Sequence, residues 1–212
     1  MHKIAILSRK GGAGKTTLAV HLAAAAERSG QKSAILDLDQ QASAAAWSDL
    51  RADPRPEVQI CQPHRIVRSL AALQDCNLVI FDTAPHAEVG ALAAARAADI
   101  VIIPCRPSYF DMQALDAVLD IVQIAKAKPV AVLNAIPPRG QSAAEARAAL
   151  ASWGIDVLAP TLGQRQAFVH ALNSGLAVEE YEPRSKAAAE VRAVHTALMH
   201  RLDGLRIADT GS

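Results

Sequence analysis

The chain has 212 residues, 22 Lys and Arg against 21 Asp and Glu, and a formal net charge of +1, a balance that excludes nucleic-acid binding through overall positive charge but leaves room for a local basic patch. Hydrophobic residues make up 51% of it and aromatics only 3%, so the core is expected to be aliphatic and alanine-heavy. No apolar run approaches the ~18 residues of a membrane span and the first residues read as a strand without a signal-peptide apolar region, so a cytoplasmic location is expected.

Residues 3–8, with Ile4-Ala5-Ile6-Leu7 at their centre, read as a buried parallel strand. Thr16 to about Ser29 reads as a helix ended by Gly30, where a left-handed conformation costs glycine little. Between them lies Arg9-Lys10-Gly11-Gly12-Ala13-Gly14-Lys15-Thr16-Thr17. A strand that ends in glycines and opens a helix leaves several backbone N–H groups pointing into one concavity, where the helix dipole favours an anion. The stretch is therefore read as a phosphate-binding loop, with Lys15 reaching the β- and γ-phosphates and the Thr16 hydroxyl holding Mg²⁺. The general pattern G-x-x-x-x-G-K-[ST] calls for a glycine at position 9, where this chain has Arg9. In its place comes a second lysine, Lys10, followed by a Gly-Gly pair.

The stretch resembles the deviant Walker A motif, K-G-G-x-G-K-[ST], of the ParA/MinD group of ATPases, in which Lys10 corresponds to the signature lysine. The resemblance implies that Gly11, Gly12, Ala13, Gly14, Lys15, Thr16 and Thr17 bind ATP. Two lysines flanking four small residues would crowd one triphosphate from the same chain, so the resemblance implies that Lys10 crosses a dimer interface to the nucleotide of a second copy.

Ser33-Ala34-Ile35-Leu36 resumes as a strand and runs into Asp37-Leu38-Asp39-Gln40-Gln41. Carboxylates at the carboxyl end of a strand lie where doubly wound sheets bind ligands. The segment is similar to the D-x-D-P-Q stretch of the same ATPases, which implies that Asp39 organises the attacking water with Gln41 beside it. Gln40 stands in place of that family's proline. Asp37 either shares the function or caps and orients the segment. Ala42 to about Leu50 is read as a helix, Arg51 to Pro56 as a proline-stopped loop, Val58–Cys61 as a short strand and Arg65 to Gln74 as a helix with Ile66, Leu70 and Leu73 on one stripe. Trp47 is read as a packing residue.

Leu78-Val79-Ile80-Phe81-Asp82 is an apolar tetrad closing on an aspartate, the pattern of a central strand whose last side chain emerges at the ligand edge. It resembles a Walker B segment, continued by Thr83-Ala84-Pro85, and Asp82 is the candidate for holding Mg²⁺ through water. A helix over Glu88–Ala97 and a buried strand from Ile100 to Pro104 follow. The resemblance makes Cys105 to Asp111 a switch-like loop near the dimer interface, carried by a helix from Asp111 to Ala125. Pro129 to Asn134 is the next strand, and Asn134 at its end either lies against the adenine, as the resemblance implies, or forms a turn before Pro137-Pro138. The remaining segments are a helix from Gln141 to Ser152, a last short strand from Gly154 to Ala159, a helix from Arg165 to Leu172, and a long final helix from Ser185 to Leu202. Gln164 to Phe168 and Gly175 to Val178 look like the C-terminal region of small ParA proteins.

Six or seven strands alternating with helices imply an α/β fold, a doubly wound and mostly parallel sheet flanked by helices on both faces, and the resemblance of the glycine loop implies that this is a P-loop NTPase. Residues 1–207 are expected to form one domain, with 208–212 a frayed tail. Cys61, Cys76 and Cys105 show no C-x-x-C spacing and the seven histidines no H-E-x-x-H, so no transition-metal site is expected. The implied function is a magnesium-dependent ATPase that forms an ATP-sandwich homodimer and drives plasmid or chromosome partition, with a ParB-like centromere-binding partner that stimulates hydrolysis. The rival is a related ATPase that positions a protein cargo or conjugation complex through an adaptor. Nucleotide binding without hydrolysis is opposed by Lys10, Asp39 and Asp82 occurring together. The tail from Leu202 to Asp209 is glycine-broken and carries two aspartates, which argues against a membrane helix. Non-specific DNA binding, and with it association with the nucleoid, is expected through Arg184, Lys186 and Arg192, unless these pair with Glu182 and Glu190 as solvated helix charges.

Overall fold

Six strands, β1 (His2–Ile6), β2 (Ser33–Asp37), β3 (Glu57–Ile60), β4 (Leu78–Asp82), β5 (Ile100–Cys105) and β6 (Pro129–Leu133), pair in parallel in the order β3-β2-β4-β1-β5-β6. The computed structural model describes residues 1–108 and 115–210. The helices are α1 (Lys15–Arg28), α2 (Ser43–Asp49), α3 (Ile66–Ala72), α4 (Glu88–Ala97), α5 (Asp116–Ala125), α6 (Ser142–Ser152), α7 (Gln166–Asn173), α8 (Val178–Tyr181) and α9 (Lys186–Thr210). Tyr109, Phe110 and Asp111 of the expected switch-like loop lie outside the described residues.

The strands are near-continuous aliphatic runs because both sheet faces are covered. Alternation divides their side chains between two cores. Ile4, Ile6, Ile35, Ile80, Ile102 and Val132 pack with α1, α7 and α9, including Leu18, Leu22, Phe168, Val191 and Leu198. Ala5, Leu36, Val79, Phe81, Val101 and Leu133 pack on the other face with Ile66, Ala94, Val118 and Leu150 from α3 to α6. The three cysteines are buried within this fold as small apolar groups. Trp47 packs in the first core, its indole N–H donating to the Leu176 carbonyl at 3.3 Å and its ring lying 4.5 Å from the Arg51 guanidinium. Arg51 in turn makes a buried ion pair with Glu180 at 2.8 Å, fastening the end of α2 to α8.

Two expectations change. The strand anticipated over Gly154–Ala159 reduces to one bridge, Ala131 to Val157. The Ala131 N–H donates to the Asp156 carbonyl and Leu158 donates back to Ala131, after which Pro160 has no N–H to continue a ladder. The final helix, expected to end at Leu202, runs to Thr210. Its late turns are anchored to the start of β1, where Asp203 pairs with His2 at 3.0 Å and Arg206 donates to the Met1 carbonyl. Among the described residues no helix is long and apolar enough to cross a membrane.

Candidate nucleotide site

Chain direction reverses its side of the sheet about β1, so the carboxyl end of that strand faces the crevice where open parallel sheets take ligands. There the backbone turns through Gly12 at φ 71° and Gly14 at φ 94°, and α1 starts at Lys15. Gly14 is required twice over. Its left-handed φ disfavours a side chain, and a Cβ would sit 2.3 Å from the Asn134 side-chain nitrogen. Asn134, just past β6, donates from Nδ2 to the Ala13 carbonyl at 2.9 Å and accepts the Ala135 N–H at 2.8 Å, so it fixes the loop as well as forming the turn.

A hollow of about 410 Å³ opens over this loop. Gly11, Gly12, Gly14, Lys15, Thr16, Thr17, Asp39, Gln41 and Asn134 line it, so most of the residues singled out in the sequence meet there. Ala13 turns into the core and is 2% exposed. Lys10 is not among the lining residues; its N–H donates to the Ser8 hydroxyl at 3.2 Å. Lys15 is buried, and burial lowers its pKa while the charges of Asp82 and Asp39 oppose that shift.

Asp82, at the end of β4, is 1% exposed, and neither carboxylate oxygen has a hydrogen-bond partner among the described residues. Burial pushes its pKa up to about 7, opposed by the nearby Thr16 hydroxyl, which makes no hydrogen bond of ordinary geometry to it, and by the charge of Lys15. A buried, unsatisfied acceptor pair beside Lys15 and Thr16 is what a hard cation demands, so the donor set fits Mg²⁺. Asp37, its neighbour in register, is differently placed: one oxygen accepts the Asp39 N–H at 3.1 Å and the other accepts Ala44 at 3.0 Å and Ala45 at 3.2 Å. Asp37 therefore caps and orients the start of α2. Asp39 is half-exposed and accepts the Gln41 N–H at 3.0 Å. Asp39, Gln41 and Pro85 also border a second hollow of about 550 Å³, lined in part by the exposed apolar side chains of Ile60 and Val89.

The structure adds Arg106, Arg165 and Phe168 to the cavity wall. The signal available for Arg165 and Phe168 was only the likeness of their segment to small ParA proteins; for Arg106 it was only its place in the stretch read as a switch-like loop, which said nothing of the nucleotide cavity. Arg184, Lys186 and Arg192 lie away from the cavity, on and before α9. Arg184 and Lys186 are exposed, whereas Arg192 pairs with the buried Glu179 at 3.0 Å and donates to the Pro183 carbonyl. Glu190, one of the alternative partners weighed for these cations, instead accepts from Arg165 and from the Gly163 N–H.

A glycine loop between a central parallel strand and its helix, with an unsatisfied aspartate closing the adjacent strand, defines a P-loop ATPase. Residues 4–178 match the CobQ/CobB/MinD/ParA nucleotide binding domain, and the chain belongs to that family. It is 31% identical to Maintenance of carboxysome distribution protein A from Gloeobacter kilaueensis over 94% of this chain and 93% of that one. It is also 24% identical to the Chromosome-partitioning ATPase Soj from Thermus thermophilus, over 60% of this chain and 64% of that one. Among solved structures, apo McdA from Cyanothece superposes with a TM-score of 0.78 at 19% identity, covering 93% of this chain and 99% of that chain.

Proposed function

We propose that the chain is a magnesium-dependent ATPase that pairs with a second copy in the ATP state and uses partner-stimulated hydrolysis to position a large protein cargo. The observation that carries the chemistry is Asp82, buried with both oxygens unpaired beside Thr16 and Lys15. Thr16 and Asp82 are the residues that hold Mg²⁺, which supplies neutralisation of phosphate charge. The N–H groups from Gly11 to Thr17 and the Lys15 ammonium bind and orient the triphosphate. Asp39 positions the attacking water, and Asn134 borders the adenine. Lys10, which does not line the hollow of its own chain, reaches the nucleotide of the second copy. Phosphoryl transfer gains chiefly from positioning and charge stabilisation, so a lysine supplied across the dimer makes turnover depend on assembly. The apolar rim at Ile60 and Val89 beside the cavity supports such a contact.

The cargo class is supported by the Gloeobacter kilaueensis relative, which is named for carboxysome distribution and matches nearly the whole chain. A second reading, DNA partition through a ParB-like partner, is favoured by the likeness to Soj. Both readings use weak, non-specific contact with nucleoid DNA through Arg184 and Lys186, with less from Arg192 because Glu179 holds it.

Light scattering with a non-hydrolysable ATP analogue and Mg²⁺ tests the assembly step. A dimer is expected for wild type and a monomer for Lys10→Ala, and equal dimer fractions would remove the crossing lysine. Imaging cells that carry Lys15→Ala tests the cargo: mislocalised protein bodies with normal inheritance of plasmid and chromosome support positioning, and the reverse supports partition.

A further inference from the structure

Three cationic side chains line the nucleotide cavity, and two already have their counter-charges. Lys15 lies within the field of Asp82 and Asp39. Arg165 is held by Glu190, Nε to Oε2 at 2.9 Å and the terminal nitrogen to Oε1 at 2.5 Å. Arg106 differs. Among the described residues its buried Nε has no hydrogen-bond partner and no carboxylate pairs with its guanidinium.

The sheet explains why this residue stands where it does. β5 is the neighbour of β1, with Ile6 opposite Ile102, so the residue following β5 flanks the loop that follows β1. On its other side the Asn134 N–H donates to the Cys105 carbonyl at 2.8 Å, which fixes the chain just before Arg106 between the phosphate loop and the end of β6. A guanidinium keeps its charge throughout the working pH range, and a buried N–H without an acceptor is costly. Asp39 shares the cavity wall, yet its recorded partner is the Gln41 N–H. What remains to accept from this positive fork on the cavity wall is water or an anion that enters the cavity, and of the two the anion also answers the charge.

We infer that Arg106 is a phosphate-binding residue of the nucleotide site, a planar donor fork for phosphate oxygens that this chain supplies from β5 in addition to Lys15. The inference rests on the nucleotide reading above. A guanidinium makes paired, charge-assisted hydrogen bonds to phosphate that an ammonium makes only singly.

The test is calorimetric titration of the full chain with Mg-ATP for wild type, Arg106→Gln, Arg106→Lys and Lys15→Ala, over a salt series, with melting temperatures of the nucleotide-free proteins. Arg106→Gln should weaken ATP binding about tenfold or more, flatten its salt dependence and leave the nucleotide-free melting temperature unchanged. Arg106→Lys should recover part of the affinity. Wild-type affinity in Arg106→Gln while Lys15→Ala loses binding would overturn the inference and spare the nucleotide site. An affinity loss accompanied by a lowered nucleotide-free melting temperature would make Arg106 a structural anchor and overturn it equally. Wild-type binding by Lys15→Ala would remove the nucleotide reading itself and the inference with it.

Discussion

Asp37 and Asp82 close neighbouring strands at the same register, and both are buried. Yet three backbone N–H groups converge on the Asp37 carboxylate, from Asp39, Ala44 and Ala45, while among the described residues none reaches that of Asp82. Strand position therefore does not decide what a carboxylate at this edge does; the supply of N–H donors does. A satisfied carboxylate is part of the scaffold, and the unsatisfied one beside Lys15 and Thr16 is where we propose the cation sits.

The sharpest way to break this contrast is to remove each charge in turn. Asp82→Asn should lower steady-state phosphate release by about a hundredfold or more, with chelation of Mg²⁺ having the same effect on wild type. Its melting temperature should change little, because losing a buried carboxylate without hydrogen-bond partners is offset by losing a counter-charge to the buried Lys15. Wild-type turnover in that variant would place the cation elsewhere. Asp39→Ala should keep Mg-ATP binding and lose turnover by roughly a hundredfold, which a single-turnover assay would resolve; normal turnover would reduce Asp39 to a turn residue. Asp37→Ala should act on the fold instead, costing about 2–4 kcal/mol in equilibrium denaturation through the N–H groups it strands at the start of α2. Asp37→Asn should cost less, since its amide oxygen still accepts.

A smaller effect sharpens the same rule with a basic group. His21 in α1 is buried against Phe168, ring centroids 5.1 Å apart, and among the described residues neither ring nitrogen has a hydrogen-bond partner. Burial lowers its pKa from 6.5 to about 3. Between those values the unfolded chain binds a proton that the folded chain does not, so stability falls as pH drops below 6.5. His2 and His195, also lowered chiefly by burial, add in the same direction. His21→Leu should flatten the decline of melting temperature across pH 6.5 to 4, within the window its lowered pKa sets; an unchanged slope would assign the acid sensitivity to the other two.

The placement of the glycine loop between β1 and α1, and of Asp82 at the end of β4, was legible in the sequence because each is a local pattern, an apolar run ending in glycines or in an aspartate. The six strands were legible for the same reason. What could not be read depends on chain segments far apart. The choice between cap and ligand for Asp37 turns on backbone groups of Ala44 and Ala45, whose side chains say nothing. Asn134 reaches the loop only because β6 lies beyond β5 from β1. The strand expected at Gly154–Ala159 had the right residues, but Pro160 cut its pairing to one bridge. The pairing of Arg192 with Glu179, rather than Glu190, required α8 to lie against α9.

The central claim, that the carboxyl edge around β1 is a magnesium-nucleotide site, is tested most directly by titrating ATP into wild type and Lys15→Ala with and without Mg²⁺. Strong, Mg²⁺-dependent binding by wild type and its loss in Lys15→Ala is the predicted result. Equal affinity in the two proteins, or wild-type binding indifferent to Mg²⁺, would contradict it.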